Sequence, residues 1–336
     1  MSNFLAYVGS TSGGLKKTIR DALDYVQWEK EVQPDSVIFL KPNFTYPYYK
    51  EGITTSPAVL EPLLAILKSR ARRVIVGESN GGNRSFSADI AFKNHGMHDM
   101  CQRLGVELVN LSSLPNSLIE ETIAGKRVQV RLPDLLLKQE IDCFIDVPVL
   151  KVHVMTGVTI GIKNLWGCFP DTMRGLYHEN FDFKISMMAK LLNPKITLID
   201  ATYALDKHGP MWGEAVKLDL LLAANNVVVA DALGASIMGF DPQKVGHIRL
   251  AAQTILGTMD LAKVTLNQDW KPFRRQFTVS KTINDRFAVP LFHSHFLSKI
   301  VFTSPLTGLV YKVGHLLRSR KEKATATDIK NNAYFH

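Results

Sequence analysis

Residues 36–43 read Ser36-Val37-Ile38-Phe39-Leu40-Lys41-Pro42-Asn43, and how this stretch is read decides the fold. Ser36 to Leu40 has the length and apolar content of a buried strand. It stops at Lys41-Pro42-Asn43, because Pro42 has no N–H to give to a neighbouring strand. After a loop from Phe44 to Thr55, Ser56 is placed to cap a helix with Pro57 in its first turn, running through Ile66 to about Arg70. Arg73 to Gly77 is then a second apolar strand. A strand, a helix and a strand in this order are one step of a parallel sheet.

The same alternation extends outward in both directions. Upstream, Phe4 to Val8 reads as a strand, and Leu15 to Val26 carries apolar residues at helical spacing. Downstream, strands are expected at Val106 to Leu111, Val128 to Leu132, Cys143 to Pro148, Ile196 to Ala201 and Val227 to Asp231. Helices are expected at Ala88 to His95, Phe183 to Leu192, Leu233 to Met238 and Val245 to Leu256. The fold class is therefore α/β, with a mainly parallel, doubly wound sheet and helices on both faces. One α/β domain is assigned to residues 1–268, with a lobe boundary near 111–123. Residues 269–336 form a basic, aromatic extension.

Of the 336 residues, 46% are hydrophobic, enough for a sizeable core. The opening residues lack a charged segment followed by an apolar one, and no apolar run approaches the roughly 20 residues that span a bilayer. A cytoplasmic protein is the expectation. Cys101, Cys143 and Cys168 are far apart, which excludes a paired-cysteine zinc or redox motif and fits a reducing compartment. The net charge of +9 is dispersed except at Lys68 to Arg73 and Arg318 to Lys323. With no nucleic-acid-binding motif beside it, this charge points to an anionic ligand rather than to DNA or RNA. In Pro305 to Leu317 the apolar residues share one helical face ahead of the basic run 318–323. That tail reads either as a docked terminal helix or as a peripheral membrane-surface element.

Polar residues capable of chemistry gather where strands end. In open α/β sheets the carboxyl ends of the strands are where ligands bind. Lys41 and Asn43 flank Pro42 at one such end. Glu78 is the only acid in the loop Gly77-Glu78-Ser79-Asn80-Gly81-Gly82-Asn83, and can act as a base or orient a lysine. The strand Cys143 to Leu150 runs into Lys151-Val152-His153, whose Lys and His share a face of an extended chain. The segment from Thr156 to Cys168 holds Lys163 and Asn164 in a Gly-rich, apolar setting, and its backbone N–H groups are candidates to receive an anion. Arg174 and His178 follow, four residues apart. So many polar groups in an apolar stretch need partners. The partner is a ligand, or else a structural network with Asp146, Asp171 and Glu179. Asp200 and Asp231 end apolar strands and are candidates for orienting a cation or capping the next helix, with capping favoured for Asp231. His208, before Gly209-Pro210, sits in a candidate lid. His293 and His295 lack a completed metal-ligand set.

These motifs resemble a known family. Pro148-Val149-Leu150-Lys151-Val152-His153, then Thr159-Ile160-Gly161-Ile162-Lys163-Asn164-Leu165-Trp166-Gly167, then Arg174 and Tyr177-His178, are similar to the signature of the family called "domain of unknown function 362". Lys41-Pro42-Asn43, Gly77-Glu78-Ser79, Val229-Ala230-Asp231-Ala232 and Met238-Gly239 extend the likeness over roughly residues 35–255. Many such relatives carry a ferredoxin-like segment, but no cysteine follows Cys168 here, so the thiolates for an iron–sulfur cluster are missing. A shorter likeness, in the order His153, Gly157, Gly161, Lys163, resembles the nickel-pincer lactate racemases. It implies His153 and His178 as acid/base or metal-binding groups and Lys163 as a cofactor or anion ligand.

The resulting expectation is a crevice for a carboxylated or phosphorylated small molecule. His153, Lys163, His178 and Glu78 are its candidate catalytic groups, with Lys41, Asn43, Lys151, Asn164 and Arg174 as binding groups. Proton-transfer chemistry such as racemisation, isomerisation or elimination suits this set, and no Gly-x-Ser-x-Gly elbow or P-loop is present. Two alternatives stay open: a cofactor-binding or redox accessory protein served by a separate electron carrier, and a peripheral membrane or scaffold protein. The residues name no cofactor; nickel or another metal stays open, with no ligand set to support it.

Overall fold

The structure, a computed structural model, describes residues 4–138, 140–282, 285–286, 294, 297–300 and 327–329. The tail helix and basic run expected between 305 and 323, and His293 and His295, lie outside the described residues. In chain order the elements are β1 Leu5–Ser10, α1 Leu15–Tyr25, α2 Trp28–Glu31, β2 Val37–Pro42, α3 Pro57–Lys68, β3 Arg73–Glu78, α4 Ala88–Asn94, α5 Met97–Leu104 and β4 Glu107–Asn110. The hairpin β5 Asn116–Ile123 and β6 Lys126–Pro133 follows, then α6 Asp134–Leu137, β7 Cys143–Val147, β8 Val149–His153, β9 Gly157–Thr159 and α7 Gly161–Asn164. The described chain continues with α8 Phe181–Leu192, β10 Ile196–Asp206, β11 Glu214–Ala224, α9 Val227–Ile237, α10 Gly246–Thr254 and β12 Thr265–Leu266.

One large sheet has the order β12-β1-β11-β10-β7-β2-β3-β4, with β8 joined to β10 and β9 joined to β8. β10, β7, β2, β3 and β4 are mutually parallel, while β11 runs antiparallel between β1 and β10. Because successive strand residues face opposite sides, β2 feeds two cores. Ile38 and Leu40 pack with α1, α3, α4 and α5 on one face, and Val37 and Phe39 belong to the core of α8, α9 and α10 on the other. This is the doubly wound arrangement expected from the alternation. The hairpin β5–β6 forms a separate two-stranded sheet.

Two departures from expectation have local causes. Val227 to Asp231 is helical rather than extended, as the first part of α9. Asn226 caps it by accepting from Val228 N at 3.0 Å and Val229 N at 3.3 Å, and every residue of α9 is buried. A helix buried all round has no polar stripe, so its sequence carries no helical period. The strand expected from Cys143 is interrupted at Pro148, giving β7 and β8, which pair with different parts of β10.

The topology also places the crevice. β2 hands the chain to β3 through α3 on one face, while its neighbour β7 leads on to β10 through α8 on the opposite face. Connections leaving adjacent parallel strands in opposite directions leave a gap above their carboxyl ends. Lys41 and Asp146 lie side by side at that edge, paired in register between β2 and β7.

Candidate functional site

Above the carboxyl ends of β2, β3 and β7 lies a cleft of about 550 Å³, its open mouth included. Lys41, Asn43, Glu78, Lys151, Lys163, Asn164 and Arg174 all line it. Four cations thus meet one carboxylate in a space of small-molecule size. His153 and His178 are not on its wall.

Part of this wall is a closed frame. Lys41 Nζ lies 2.6 Å from Glu78 Oε2 and donates to Pro42 O at 2.6 Å, and both side chains are buried. Glu78 also accepts from Phe44 N and Ser79 N, each at 3.0 Å. Burying such a pair is tolerable only with lone pairs and protons satisfied in this way. The pair needs Gly167 beside it, because a Cβ there would meet Glu78 Oε1 and Lys41 Nζ at 2.7 Å. Lys151, on β8, donates to Asn43 Oδ1 at 3.0 Å and Ile53 O at 2.8 Å. Burial pushes its ammonium well below the ordinary lysine range, with the charge of Lys163 adding to the effect.

A second layer fixes α7. Asn164 donates to Asp146 Oδ1 at 2.7 Å, and burial holds the Asp146 carboxyl well above its usual range despite that bond. The N–H groups of Gly161 and Ile162, expected to receive an anion, are already taken by the protein's own Asp231, at 2.7 Å and 3.2 Å. Burial still raises the Asp231 carboxyl to about 8. Asp231 does not cap the helix that follows it: it lies inside α9 and serves the N-terminus of α7, 70 residues upstream. Asp200 plays a similar part for α3 by accepting from Ser56 N at 2.8 Å.

The other part of the wall is open. Lys163 is partly exposed to the cleft, and its Nζ stands 5.4 Å from the centroid of the Phe181 ring. Among the described residues it has no carboxylate within ion-pair distance and no hydrogen-bond acceptor. Burial, then the charge of Arg174, lowers it to about 8, with Asp182 opposing. Arg174 is held on a 3-10 turn, its Nε on Phe169 O at 3.2 Å and its Nη2 on Asn80 O at 2.8 Å. Two of five donors are thereby used, leaving the rest of the fork for a ligand. Ser79 Oγ, Thr159 Oγ1 and Trp166 Nε1 belong to residues on the cleft wall and find no partner among the described residues. Buried polar atoms left alone cost roughly 1–3 kcal/mol each, so each of the three calls for a water or ligand partner.

Three buried histidines feel the charge of Lys163. His153 accepts from Met155 N at 3.1 Å, and burial, with Lys163 next, pushes it well below its ordinary range. His178 packs 4.6 Å from Phe181 and is lowered to about 3 by burial and then by Lys163. His247, which sequence reasoning passed over, is fully buried 3.8 Å from Asp182 and also lowered to about 3 by burial. All three are thus neutral at pH 7. Among the described residues no group of three or more His, Cys, Asp or Glu is arranged to hold a metal, and no helix is long and apolar enough to cross a membrane.

The profile of the family described as "Domain of unknown function (DUF362)" matches residues 38–236, which include every cleft residue. The chain belongs to this family. This DUF362 protein is 26% identical over 234 residues to a thylakoid-associated protein of Synechocystis sp., covering 67% of this chain and 70% of that one. Its fold is similar to the lactate racemase apoprotein of Thermoanaerobacterium thermosaccharolyticum, with TM-score 0.47, 14% identity, and coverage of 70% of this chain and 56% of the other. A Thermotoga maritima protein gives TM-score 0.34 at 12% identity, covering 56% and 50%. The DUF362 chain spans about half the length of each of these two structures.

Sequence reasoning had passed over Ser79, Thr159, Trp166 and Pro210 as wall residues of the DUF362 cleft. Thr159 stands directly opposite Lys151 in the β8–β9 pairing, a register that only the folded hairpin shows.

Proposed function

We propose that the cleft binds a small carboxylated or phosphorylated molecule and that its reaction is a proton transfer centred on Lys163. One observation carries this reading: Lys163, the spare donors of Arg174 and three unpartnered donor-capable side chains meet in a cleft whose one acid, Glu78, is occupied by Lys41. Such an array neutralises an anion and stabilises negative charge that develops during a reaction.

A lysine lowered to about 8 exchanges its proton readily near neutral pH. In its neutral form Lys163 takes a proton from carbon beside a carbonyl or carboxylate. The C–H electron pair moves through the adjacent carbon into that oxygen, which Arg174 and the neighbouring donors hold, giving an enolate, and delivery of the Lys163 proton to a different atom of that enolate completes an isomerisation. His153 and His178 act through Lys163, whose charge they share space with, rather than from the wall. Glu78 keeps Lys41 in place.

Titration calorimetry with inorganic phosphate and a panel of small carboxylates tests the binding half. Saturable binding to the wild-type chain that weakens in both Lys163→Ala and Arg174→Ala is expected. Equal binding by wild type and both variants sinks the reading.

A further inference from the structure

The loop between β2 and α3 is the piece of the cleft that a distant part of the chain reaches. At its base Asn43 and Thr55 close on each other, Asn43 N donating to Thr55 Oγ1 at 2.8 Å and Thr55 N to Asn43 O at 3.0 Å. Thr55 Oγ1 in turn donates to Val147 O at 2.7 Å, which fastens the base to β7. The inner side supplies both acceptors of the Lys151 ammonium, Asn43 Oδ1 and Ile53 O. The outer side carries Tyr46 and Tyr48, whose rings meet edge to face at 5.0 Å. Both phenols donate to one carboxylate oxygen, Asp328 Oδ2, Tyr46 at 2.5 Å and Tyr48 by a short contact. Ile329 packs beside them with Tyr46, Ile53 and Leu205. Asp328 lies 282 residues beyond Tyr46 in sequence, far past the last cleft residue.

We infer that Asp328 is a positioning residue of the cleft, a latch that holds the loop so that Asn43 and Ile53 keep the Lys151 ammonium aimed at the bound anion. The chemistry suits a latch. A carboxylate accepting from two phenols makes charge-assisted bonds, stronger than neutral ones. Burial raises both phenols above the ordinary tyrosine range and Asp328 raises them further, so they stay donors through the physiological range. Without the latch the loop keeps its base but loses its outer anchor, and Lys151 loses the fixed geometry of both acceptors. The inference rests on the anion-binding reading above.

The full-length chain is compared with Asp328→Ala, Asp328→Glu, Lys151→Met and the double variant Asp328→Ala/Lys151→Met. Hydrogen–deuterium exchange over residues 44–55 is measured without ligand, and calorimetry with inorganic phosphate. Exchange in Asp328→Ala rises about tenfold over residues 44–55 and phosphate affinity falls about five- to tenfold, in the range of ordinary coupling energies. Asp328→Glu restores much of both. In the Lys151→Met background Asp328→Ala has almost no further effect on phosphate, because the two act in one line. Unchanged exchange over 44–55 overturns the latch. Raised exchange with unchanged phosphate affinity, or full additivity with Lys151→Met, overturns the positioning role. Failure of the wild-type chain to bind any anion sinks the underlying reading and the positioning role with it. The ligand-free exchange data tell that outcome apart from failure of the latch.

Discussion

Two lysines of the same cleft live under opposite conditions. Lys41 is closed in by Glu78, the Pro42 carbonyl and the tight approach of Gly167, whereas Lys163 has an aromatic ring beneath it and the cleft in front. The same ammonium group is therefore a strut in one place and an unfilled valence in the other. A fully satisfied ion defines shape, and an unsatisfied one defines what the shape is for. Breaking the first should unfold the protein, and breaking the second should blind it.

The largest expected effect lies on the closed side. Glu78→Ala strands the buried Lys41 charge and should cost about 3–5 kcal/mol of stability, read from chemical denaturation. Gly167→Ala should act in the same direction by prising the pair apart. A change under about 1 kcal/mol in Glu78→Ala would show that water enters freely, and would erase the contrast between the two lysines.

On the open side stability and binding separate. Lys163→Met should lower affinity for inorganic phosphate or a small carboxylate by roughly 10- to 150-fold, the worth of a hydrogen bond to a charged group. Its stability should not fall at pH 7. With Lys163 lowered from 10.5 to about 8, the folded state carries a penalty for the charged form. That penalty is complete below about pH 8 and is relieved as pH climbs towards 10.5. The variant should hence show a stability advantage at pH 7 that fades by pH 10.5. Thermal melts of both proteins across this range decide it.

The frame was legible in the sequence and the opening was only half legible, for a physical reason. Lys41-Pro42-Asn43 and Gly77-Glu78-Ser79 stand out because each ends a short apolar strand, and strand ends in a parallel sheet converge. Lys163 and Arg174 stand out as cations in apolar surroundings. Nothing local distinguishes Ser79, Thr159 or Trp166, whose interest comes from having no partner, a property of the packed molecule. Tyr46 and Asp328 are joined only by the fold. α9 was misread at its start because Val227, Val228 and Val229 are β-branched and the helix is buried all round, although Asn226 stood ready as its cap.

The pH dependence of anion binding separates the two lysines further. Lys163 faces Arg174, Asp182, Lys151 and the three neutral histidines, and a bound anion favours its charged form. For a small carboxylate, which does not itself titrate in this range, affinity should be flat from pH 6 to about 7.5 and then fall by about tenfold per pH unit above 8 as the proton is lost. Binding at pH 8 should be accompanied by proton uptake, seen as calorimetric heats that change with the ionisation enthalpy of the buffer. Affinity independent of pH up to 10 would exclude Lys163 as the contact.

The finest test concerns the ring under Lys163. Phe181 offers its face to the ammonium at 5.4 Å and also meets Trp166 edge-on at 4.9 Å, so it has both an electrostatic and a packing role. A cation over a ring gains about 0.5–1 kcal/mol, which is less than one pKa unit. Phe181→Leu should therefore lower Lys163 further and move the pH midpoint of anion binding down by about half a unit. At pH 6, where Lys163 is protonated in either protein, affinities should agree within about twofold; at pH 8 they should diverge. Equal losses at both pH values would mean that the ring acts by shaping the wall through Trp166. Lys163 would then owe its readiness to burial and Arg174 alone, and the contrast with Lys41 would rest on missing partners rather than on a weak one.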